Sequence, residues 1–207
     1  KSFRTVDEAI SIANKTTQLL DQRGFKLTKF VSTSTDFLKA MPKDRLHPDV
    51  ADSNVQGKTT SALGIRWHLD SDELSIGSTF DISPDELFTK RRLLSILMTT
   101  FDPIGAIGFA LVPGKILLQR AFRLDIGWDQ VLPDTMQRDV QKWIQDLRRM
   151  NDVKFPRLIQ PAYSDLVIRH ELHSFADAST ICFAAICFLR SISADGSILV
   201  RNIASRN

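Results

Sequence analysis

The spacing of hydrophobic and polar residues changes along the chain, and the changes predict a mixture of helices and strands. After Thr5, apolar residues recur at helical spacing, and Glu8 three positions later completes a capping-box pattern. Gly24 stands where a glycine commonly ends a helix. Residues 33–60 are weakly patterned and predict a short helical turn around residues 36–40, followed mainly by loop. From 63 to 76, apolar residues alternate with small or polar ones around a polar turn, which predicts a β-hairpin.

Helical spacing dominates the middle of the chain. Thr89 is the predicted cap of a basic, amphipathic helix that must end near Asp102, because Pro103 follows. Pro113 suits the first turn of the next helix. The predicted helices therefore cover 90–98, 115–123 and 134–150. The apolar side of the third helix is formed by Met136, Val140, Trp143, Ile144 and Leu147.

Strand-like alternation returns near the end of the chain. A first strand runs through Leu172 and delivers Asp177 to its end, and further strands are predicted at 181–189 and 198–204. A carboxylate at the end of a strand can serve as a metal ligand. An ordinary structural role is the alternative that the pattern leaves open. Without helices to cover it, a three-stranded sheet of this kind leaves an apolar face open to water.

Other residues with chemical potential are given structural roles. His170 and His173 are three positions apart on a strand, so their rings point to opposite faces, which argues against a shared metal ion. Cys182 and Cys187 are predicted to be buried thiols. The tryptophans fall on apolar periodicities and are expected to anchor the core or its edge; they are Trp67, Trp128 and Trp143.

Composition narrows the class of protein without fixing its function. The 207 residues, 43% hydrophobic and 25% charged, are typical of a globular protein, and the net charge of +3 permits a nucleic-acid partner without establishing one. Neither a membrane span nor a signal sequence is visible, and the chain has two cysteines, so we expect an intracellular, cytoplasmic protein. Phosphate-loop and nucleophile-elbow motifs are absent. Because the sequence begins at Lys1 and stops at Asn207 directly after a strand, we expect a piece of a longer protein.

Basic residues cluster on the middle helices. They are Lys90, Arg91, Arg92, Arg120 and Arg123. The pattern alone favours a solvated helix surface. The alternative is a face that binds phosphates, with an affinity that falls steeply as salt is added.

Several short motifs, taken in order, resemble the polyprotein of BEL/Pao-type long-terminal-repeat retrotransposons. The resemblance covers about residues 5–190 and runs from late in the reverse transcriptase into the start of ribonuclease H. It rests on Gly24-Phe25-Lys26-Leu27-Thr28-Lys29-Phe30, Leu63-Gly64-Ile65-Arg66-Trp67, Thr89-Lys90-Arg91 through Leu94-Ser95 to Phe101-Asp102-Pro103-Ile104-Gly105, Lys115-Ile116-Leu117-Leu118-Gln119, Gly127-Trp128-Asp129, Phe155-Pro156-Arg157 and Leu172-His173-Ser174-Phe175-Ala176-Asp177-Ala178-Ser179.

The resemblance implies an α+β fold in four parts. Residues 1–78 are similar to the end of the polymerase palm, with a hairpin like a primer grip. Residues 84–129 are similar to the helical thumb and 130–165 to the connection. Residues 166–207 are similar to the first three strands of a ribonuclease H-like domain.

The resemblance also implies roles for particular residues. Asp177 becomes the first catalytic carboxylate of ribonuclease H, a ligand of Mg²⁺ or Mn²⁺ in the intact enzyme. The implied partners are an RNA–DNA hybrid or a template–primer duplex and the rest of the Pol polyprotein, with no membrane. The residues expected to bind nucleic acid are Gly64, Arg66, Trp67, Lys90, Arg91 and Arg92.

The resemblance further implies that this chain holds no complete active site. The paired aspartates of the polymerase are expected upstream of Lys1, and the remaining ribonuclease H carboxylates downstream of Asn207. The parent protein is then an RNA-directed DNA polymerase and ribonuclease H, whereas the chain alone is expected to be inactive and to bind no metal. The alternatives are a non-catalytic nucleic-acid-binding module or a non-functional remnant of a retroelement.

Overall fold

A computed structural model describes residues 3–77, 80–83, 85–160 and 167–207. The chain divides into two compact units. The first comprises residues 1–61, 67–74 and 156–158, and the second comprises 62–66, 75–155 and 159–207.

In the first unit, helix α1 (Val6–Asp21) begins and ends as the sequence predicts. The Thr5 hydroxyl accepts the Glu8 N–H at 3.1 Å, which confirms Thr5 as the cap. The Glu8 carboxylate accepts the N–H of Arg4 at 3.2 Å, one residue before the N–H that a complete capping box would use. Gly24 has a φ of +80°. The Phe25 N–H donates to the Leu20 carbonyl at 2.9 Å, and the Gly24 N–H donates to the Asp21 carbonyl at 3.0 Å. These are the paired bonds of a Schellman motif.

A small hydrophobic cluster completes the first unit. It forms around α2 (Thr35–Ala40), where the sequence predicts a short helical turn, and two 3-10 turns, Lys43–Arg45 and Pro48–Val50, within the segment predicted to be mainly loop. Its buried members are Phe37, Leu38, Met41, Leu46, Val50 and Leu69. Apolar residues of α1, including Val6 and Ile10, pack against this cluster and remain only partly buried.

The predicted hairpin is present as β2 (Ile65–His68) and β3 (Glu73–Ile76). A further strand precedes it, β1 (Thr59–Ala62), and β4 (Lys154–Pro156) completes a four-stranded sheet in the order β1-β2-β3-β4. The pattern did not predict β1, because the segment is short and polar.

Three helices and their core form most of the second unit. They are α3 (Lys90–Thr99), α4 (Gly108–Phe122) and α5 (Asp134–Arg149). Thr89 caps α3 by accepting the Arg92 N–H at 3.2 Å, as predicted. The five apolar residues predicted for α5 are all buried and share one core with Leu93, Ile96 and Leu117.

Helix α4 begins at Gly108, seven residues before the predicted range 115–123 and five before Pro113, so the prediction that Pro113 opens the helix is wrong. The Asp102 carboxylate accepts the N–H groups of Ala106 and Ile107 at 2.8 Å each, and this fixes the turn from which the helix starts at Gly108. Pro113 therefore lies inside the helix. The sequence pattern placed the start too late because Asp102 acts from outside the helix, across a turn.

The chain ends in an antiparallel, three-stranded sheet, as predicted. Its strands are β5 (Val167–Ala178), β6 (Phe183–Ser193) and β7 (Ile198–Arg206), in that order. The Ser205 N–H donates to the Ile104 carbonyl at 2.8 Å, which joins the end of β7 to the turn before α4. Together with the helices, these sheets make an α+β fold.

The apolar residues of this sheet remain in contact with water, which confirms the expectation of an uncovered face. Among the described residues, the two hydrophobic clusters contain no residue of β5, β6 or β7. Large side chains are exposed on all three strands, among them Leu172, Phe175, Phe183, Ile198 and Val200. The sheet is therefore held mainly by its own hydrogen bonds and cross-strand pairs.

Within the described ranges, no helix has both the length and the apolar character needed to cross a membrane.

Candidate functional site

Asp177 lies at the exposed end of β5, as its residue before last, opposite Ala184 on β6. One of its carboxylate oxygens accepts the N–H of Ala178 at 2.9 Å. The turn that follows is organised by Ser179, whose hydroxyl accepts the N–H groups of Ile181 and Cys182 at 3.2 Å each. The structure thus presents the carboxylate at a strand end beside a well-formed turn, as the pattern predicted.

The groups around Asp177 do not fit a divalent metal centre on their own. Two-metal sites for phosphoryl chemistry need several carboxylates to hold and neutralise the ions. In the part of the chain that the structure describes, no three His, Cys, Asp or Glu side chains come together as metal ligands. A metal-binding role for Asp177 therefore depends on ligands other than those described.

The face of β5 that carries Asp177 also carries an ionic cluster centred on Glu171, six residues earlier. The Glu171 carboxylate contacts the guanidinium groups of Arg190 and Arg169 at 2.8 Å each. It also contacts the His173 ring at 3.2 Å. Hydrogen bonds from His173 and then Arg190 lower the pKa of Glu171 below its usual value. The cluster joins β5 to β6, and the sequence analysis missed it because Arg190 arrives from the neighbouring strand.

The two histidines of this strand are separated as predicted. The His170 ring contacts the Ser191 hydroxyl at 3.0 Å, whereas His173 contacts Glu171. The two rings therefore lie on opposite faces of the sheet. The prediction of buried thiols is wrong for Cys182, which is exposed in the turn before β6, and Cys187 is only half-buried. Within the part of the chain that the structure describes, no layer covers the sheet to bury either thiol.

Lys90, the first of the cations expected to bind nucleic acid, points into the protein. Only 6% of the residue is exposed. Its ammonium donates to the carbonyl oxygens of Leu124 and Ile126 at 3.0 and 2.7 Å, just beyond the end of α4. Both carbonyls lie beyond the last residue of α4, so the hydrogen bonds of the helix do not include them. A positive charge near the C-terminus of a helix also interacts favourably with the helix dipole. The geometry assigns this side chain a structural task.

Arg91 and Arg92, which follow on α3, are both engaged with carboxylates. Arg91 forms a two-point contact with Asp129 at 2.7 and 3.1 Å, with both side chains largely exposed. This contact lowers the pKa of Asp129. Arg92 binds the Glu86 carboxylate and the Asp81 carbonyl. Nucleic-acid binding by these two residues stays a prediction, and it would require Arg91 and Arg92 to share or release these partners.

Gly64 and Arg66, from the predicted primer-grip hairpin, are closely packed against their neighbours. Gly64 has a φ of +77°, and a Cβ there would lie 2.9 Å from the Cβ of Phe101. The Arg66 guanidinium lies so close to Gly77 that a Cβ on that glycine would collide with it. Both features describe a tight local packing, and their contact with nucleic acid remains a prediction.

Trp67 belongs to a cluster within the first unit. Its indole N–H donates to Asp72 at 2.8 Å, and the Arg157 guanidinium lies 5.0 Å from the ring centroid. Arg157 also makes a two-point contact with Asp72 at 2.6 and 2.8 Å. The indole, the carboxylate and the guanidinium thus hold one another, which agrees with the expectation that this tryptophan is a structural anchor.

Trp128 differs from that expectation, because 43% of it is exposed. Its ring packs edge-on against Phe122, with centroids 5.3 Å apart, and the Arg91 guanidinium lies 5.8 Å from its centroid. The periodic spacing of apolar residues around Trp128 therefore reflects its contact with Phe122 at the surface and not burial in the core.

Comparison with known proteins identifies the second half of the chain. A family model described as the Pao retrotransposon-like RNaseH-like domain matches residues 89–207, from the cap of α3 to the end of the sheet. Neither the curated proteins nor the solved structures yield a match. The matched range exceeds half of the 207 residues and contains all three helices of the second unit and the sheet that carries Asp177. The chain therefore belongs to the family of Pao retrotransposon-like RNaseH-like domains.

Proposed function

We propose that this chain is a segment of a retrotransposon Pol polyprotein that binds RNA–DNA hybrid or template–primer duplex without cleaving it on its own. The family assignment supports descent from a retroelement enzyme. The observation that carries the second half of the proposal is the isolation of Asp177, since the described residues bring no second and third acidic ligand to it.

In the intact parent enzyme, we propose that Asp177 acts as the first carboxylate of the ribonuclease H centre. Its support is its place at the exposed end of the first strand of an antiparallel meander, where its carboxylate accepts, among the described residues, the N–H of Ala178. Further carboxylates from the polyprotein would have to accompany it before Mg²⁺ or Mn²⁺ could be held. Residues 1–78 are proposed to descend from the end of the reverse transcriptase palm.

A non-catalytic binding module is the second candidate function, and it differs from the first only in whether a parent polyprotein supplies the missing groups. In both cases the isolated chain should bind duplex through sequence-independent phosphate contacts. A remnant without function would lack this binding.

The test is the affinity of the full 207-residue chain for a fluorescently labelled RNA–DNA hybrid, measured by anisotropy at several salt concentrations. We expect binding that weakens steeply with salt, as phosphate contacts require. Absence of binding at low salt, or an affinity that does not change with salt, would overturn the proposal and favour a remnant without function.

A further inference from the structure

Helix α5 turns a basic face to the solvent. We name it the α5 basic face; it consists of Arg138, Lys142, Arg148 and Arg149, and all four are exposed. Residues 138, 142, 145 and 149 recur at i, i+4, i+7 and i+11, so they follow one line along the helix, and residues 141 and 148, seven positions apart, lie beside it. At 1.5 Å per residue, this line is about 16 Å long. Gln141 and Gln145 lie between the cations.

The cations of this face are available to a partner. Among the described residues, no ion pair joins Arg138, Lys142 or Arg148 to a carboxylate. Arg149 contacts Asp146 at 3.3 Å, but both side chains are more than half exposed, and such pairs contribute little. The α3 cations differ in each case, since Lys90 is buried against carbonyls and the two arginines hold carboxylates.

Two of the three carboxylates of α5 lie to one side of the basic face, and the third, Asp134, precedes Arg138 in the first turn of the helix. Asp139 pairs with Arg120 of α4 at 3.1 Å, and Asp146 lies seven residues further along the same side. Both line the groove between α4 and α5. The line through Arg138, Lys142 and Arg149 is therefore not interrupted by an acidic side chain.

The helix beneath this face is firmly fixed. Its opposite side is buried in the core, and the indole N–H of Trp143 donates to the Ala110 carbonyl at 2.8 Å. The side-chain amide of Gln137 accepts the Phe88 N–H at 2.9 Å and donates to the Phe88 and Leu132 carbonyls at 2.8 and 3.1 Å. A ligand of the basic face would thus order only side chains and not the backbone.

The composition of the face indicates which class of partner it fits. Protein interfaces bury an apolar centre, and the six exposed residues named here include no apolar side chain. Arginine and lysine bind phosphate oxygens, and glutamine amides can donate to phosphate or ribose oxygens. A regular row of such donors suits a phosphate backbone, whatever its base sequence.

We propose that the α5 basic face, and not the cations at the start of α3, is the surface through which this chain contacts the phosphates of duplex nucleic acid. The inference rests on the proposed function and adds the location of the contact. Each neutralised phosphate contributes about 0.9 to the slope of log affinity against log salt. Three contacts therefore account for a slope of about 2.7.

The experiment compares two variants with equal charge. The first carries Arg138→Ala, Lys142→Ala and Arg148→Ala. The control carries Lys15→Ala, Arg23→Ala and Lys39→Ala, three exposed cations of the first unit. Each variant lowers the formal net charge from +3 by three, to 0. A third variant, Arg138→Lys with Lys142→Arg and Arg148→Lys, keeps the charge of the face.

We expect the first variant to bind the labelled hybrid at least 10-fold more weakly at low salt, on the order that the loss of two or three phosphate contacts implies, and with a shallower salt slope. The control and the charge-keeping variant should stay near wild type. If the first variant and the control lost affinity equally, the assignment to α5 would be overturned. Binding by the wild type would in that case still support the proposed function. No binding by the wild type contradicts both. Thermal unfolding of each variant verifies that the fold is intact.

An acidic peptide tests the alternative class of partner. Poly-glutamate should compete with the hybrid only weakly, because its carboxylates do not follow the geometry of a phosphate backbone. Competition by poly-glutamate as strong as that by unlabelled hybrid would contradict the assignment to nucleic acid.

Discussion

The Lys90 ammonium donates a 2.7 Å hydrogen bond to the carbonyl oxygen of Ile126, 36 residues further along the chain. A side chain that sequence reasoning placed on a phosphate-binding face thus ties the start of α3 to the segment after α4. The pattern of charges along a helix shows which residues share a face, but not what covers that face.

Replacement of Lys90 should therefore lower stability. The variant Lys90→Met keeps most of the aliphatic length but leaves the partly buried carbonyls of Leu124 and Ile126 without this donor, which should cost about 1–3 kcal/mol. The free energy of unfolding from denaturant titration measures the loss. Arg91→Ala is the control, and it should leave the unfolding midpoint almost unchanged, because its pair with Asp129 is largely exposed. An equal loss in both variants would contradict the structural assignment of Lys90.

Gly114 should be intolerant of even the smallest side chain. A Cβ at this position would lie within 3 Å of the indole carbons of Trp143, where α4 packs on α5. We expect Gly114→Ala to destabilise by about 1–3 kcal/mol through overpacking, although alanine is the better helix former. In Gly127→Ala the nearest atom would be 3.6 Å away, so this matched control should be nearly neutral. A stabilised Gly114→Ala would show that the two helices are further apart than described.

Asp72 and Arg157 should be energetically coupled. Their two-point contact is partly shielded, and Arg157 also covers Trp67. A double-mutant cycle with Asp72→Ala and Arg157→Ala should give a coupling energy of about 1 kcal/mol or more. The exposed pair between Lys26 and Asp44 provides the comparison and should show little coupling. If the two substitutions changed the free energy of unfolding additively, the contact between Asp72 and Arg157 would not stabilise the fold.

The ionic cluster on β5 predicts an acid-sensitive contribution to stability. His173 and Arg190 lower the pKa of Glu171 from its usual value of 4.5. Because the pKa is lower in the folded state, the stabilisation is complete above 4.5 and is lost as the pH falls through the folded-state value. The stability difference between the wild type and Glu171→Gln should be constant near neutral pH and shrink below 4.5. An NMR titration that gave the Glu171 carboxyl a pKa of 4.5 or higher would contradict the predicted effect of this ionic cluster.

Local features of the fold could be predicted from the sequence, since their causes are local. Thr5 and Thr89 cap helices through N–H groups three residues away, and the last sheet follows a two-residue alternation. The position of Asp177 at a strand end could be predicted for the same reason. The family can also be predicted from the sequence, because its motifs follow one another in a fixed order.

The remaining features depend on contacts between distant segments. The start of α4 depends on Asp102 reaching across a turn, and the burial of Lys90 depends on carbonyls more than 30 residues away. Trp128 and Cys182 were predicted to be more buried than they are, because an apolar period does not reveal whether a covering layer exists. Likewise, the α5 cations differ from those of α3 only through the carbonyls and carboxylates that the fold brings to Lys90, Arg91 and Arg92.

The claim that this chain binds but does not cut its ligand is tested most directly by incubating the 207-residue protein with an end-labelled RNA–DNA hybrid in Mg²⁺ or Mn²⁺. Strand integrity is read on a denaturing gel, and binding is followed by anisotropy in the same buffer. We predict a bound hybrid whose RNA strand stays intact, with no difference between the wild type and Asp177→Asn. Cleavage of the RNA strand by the wild type that disappears in Asp177→Asn would contradict the account.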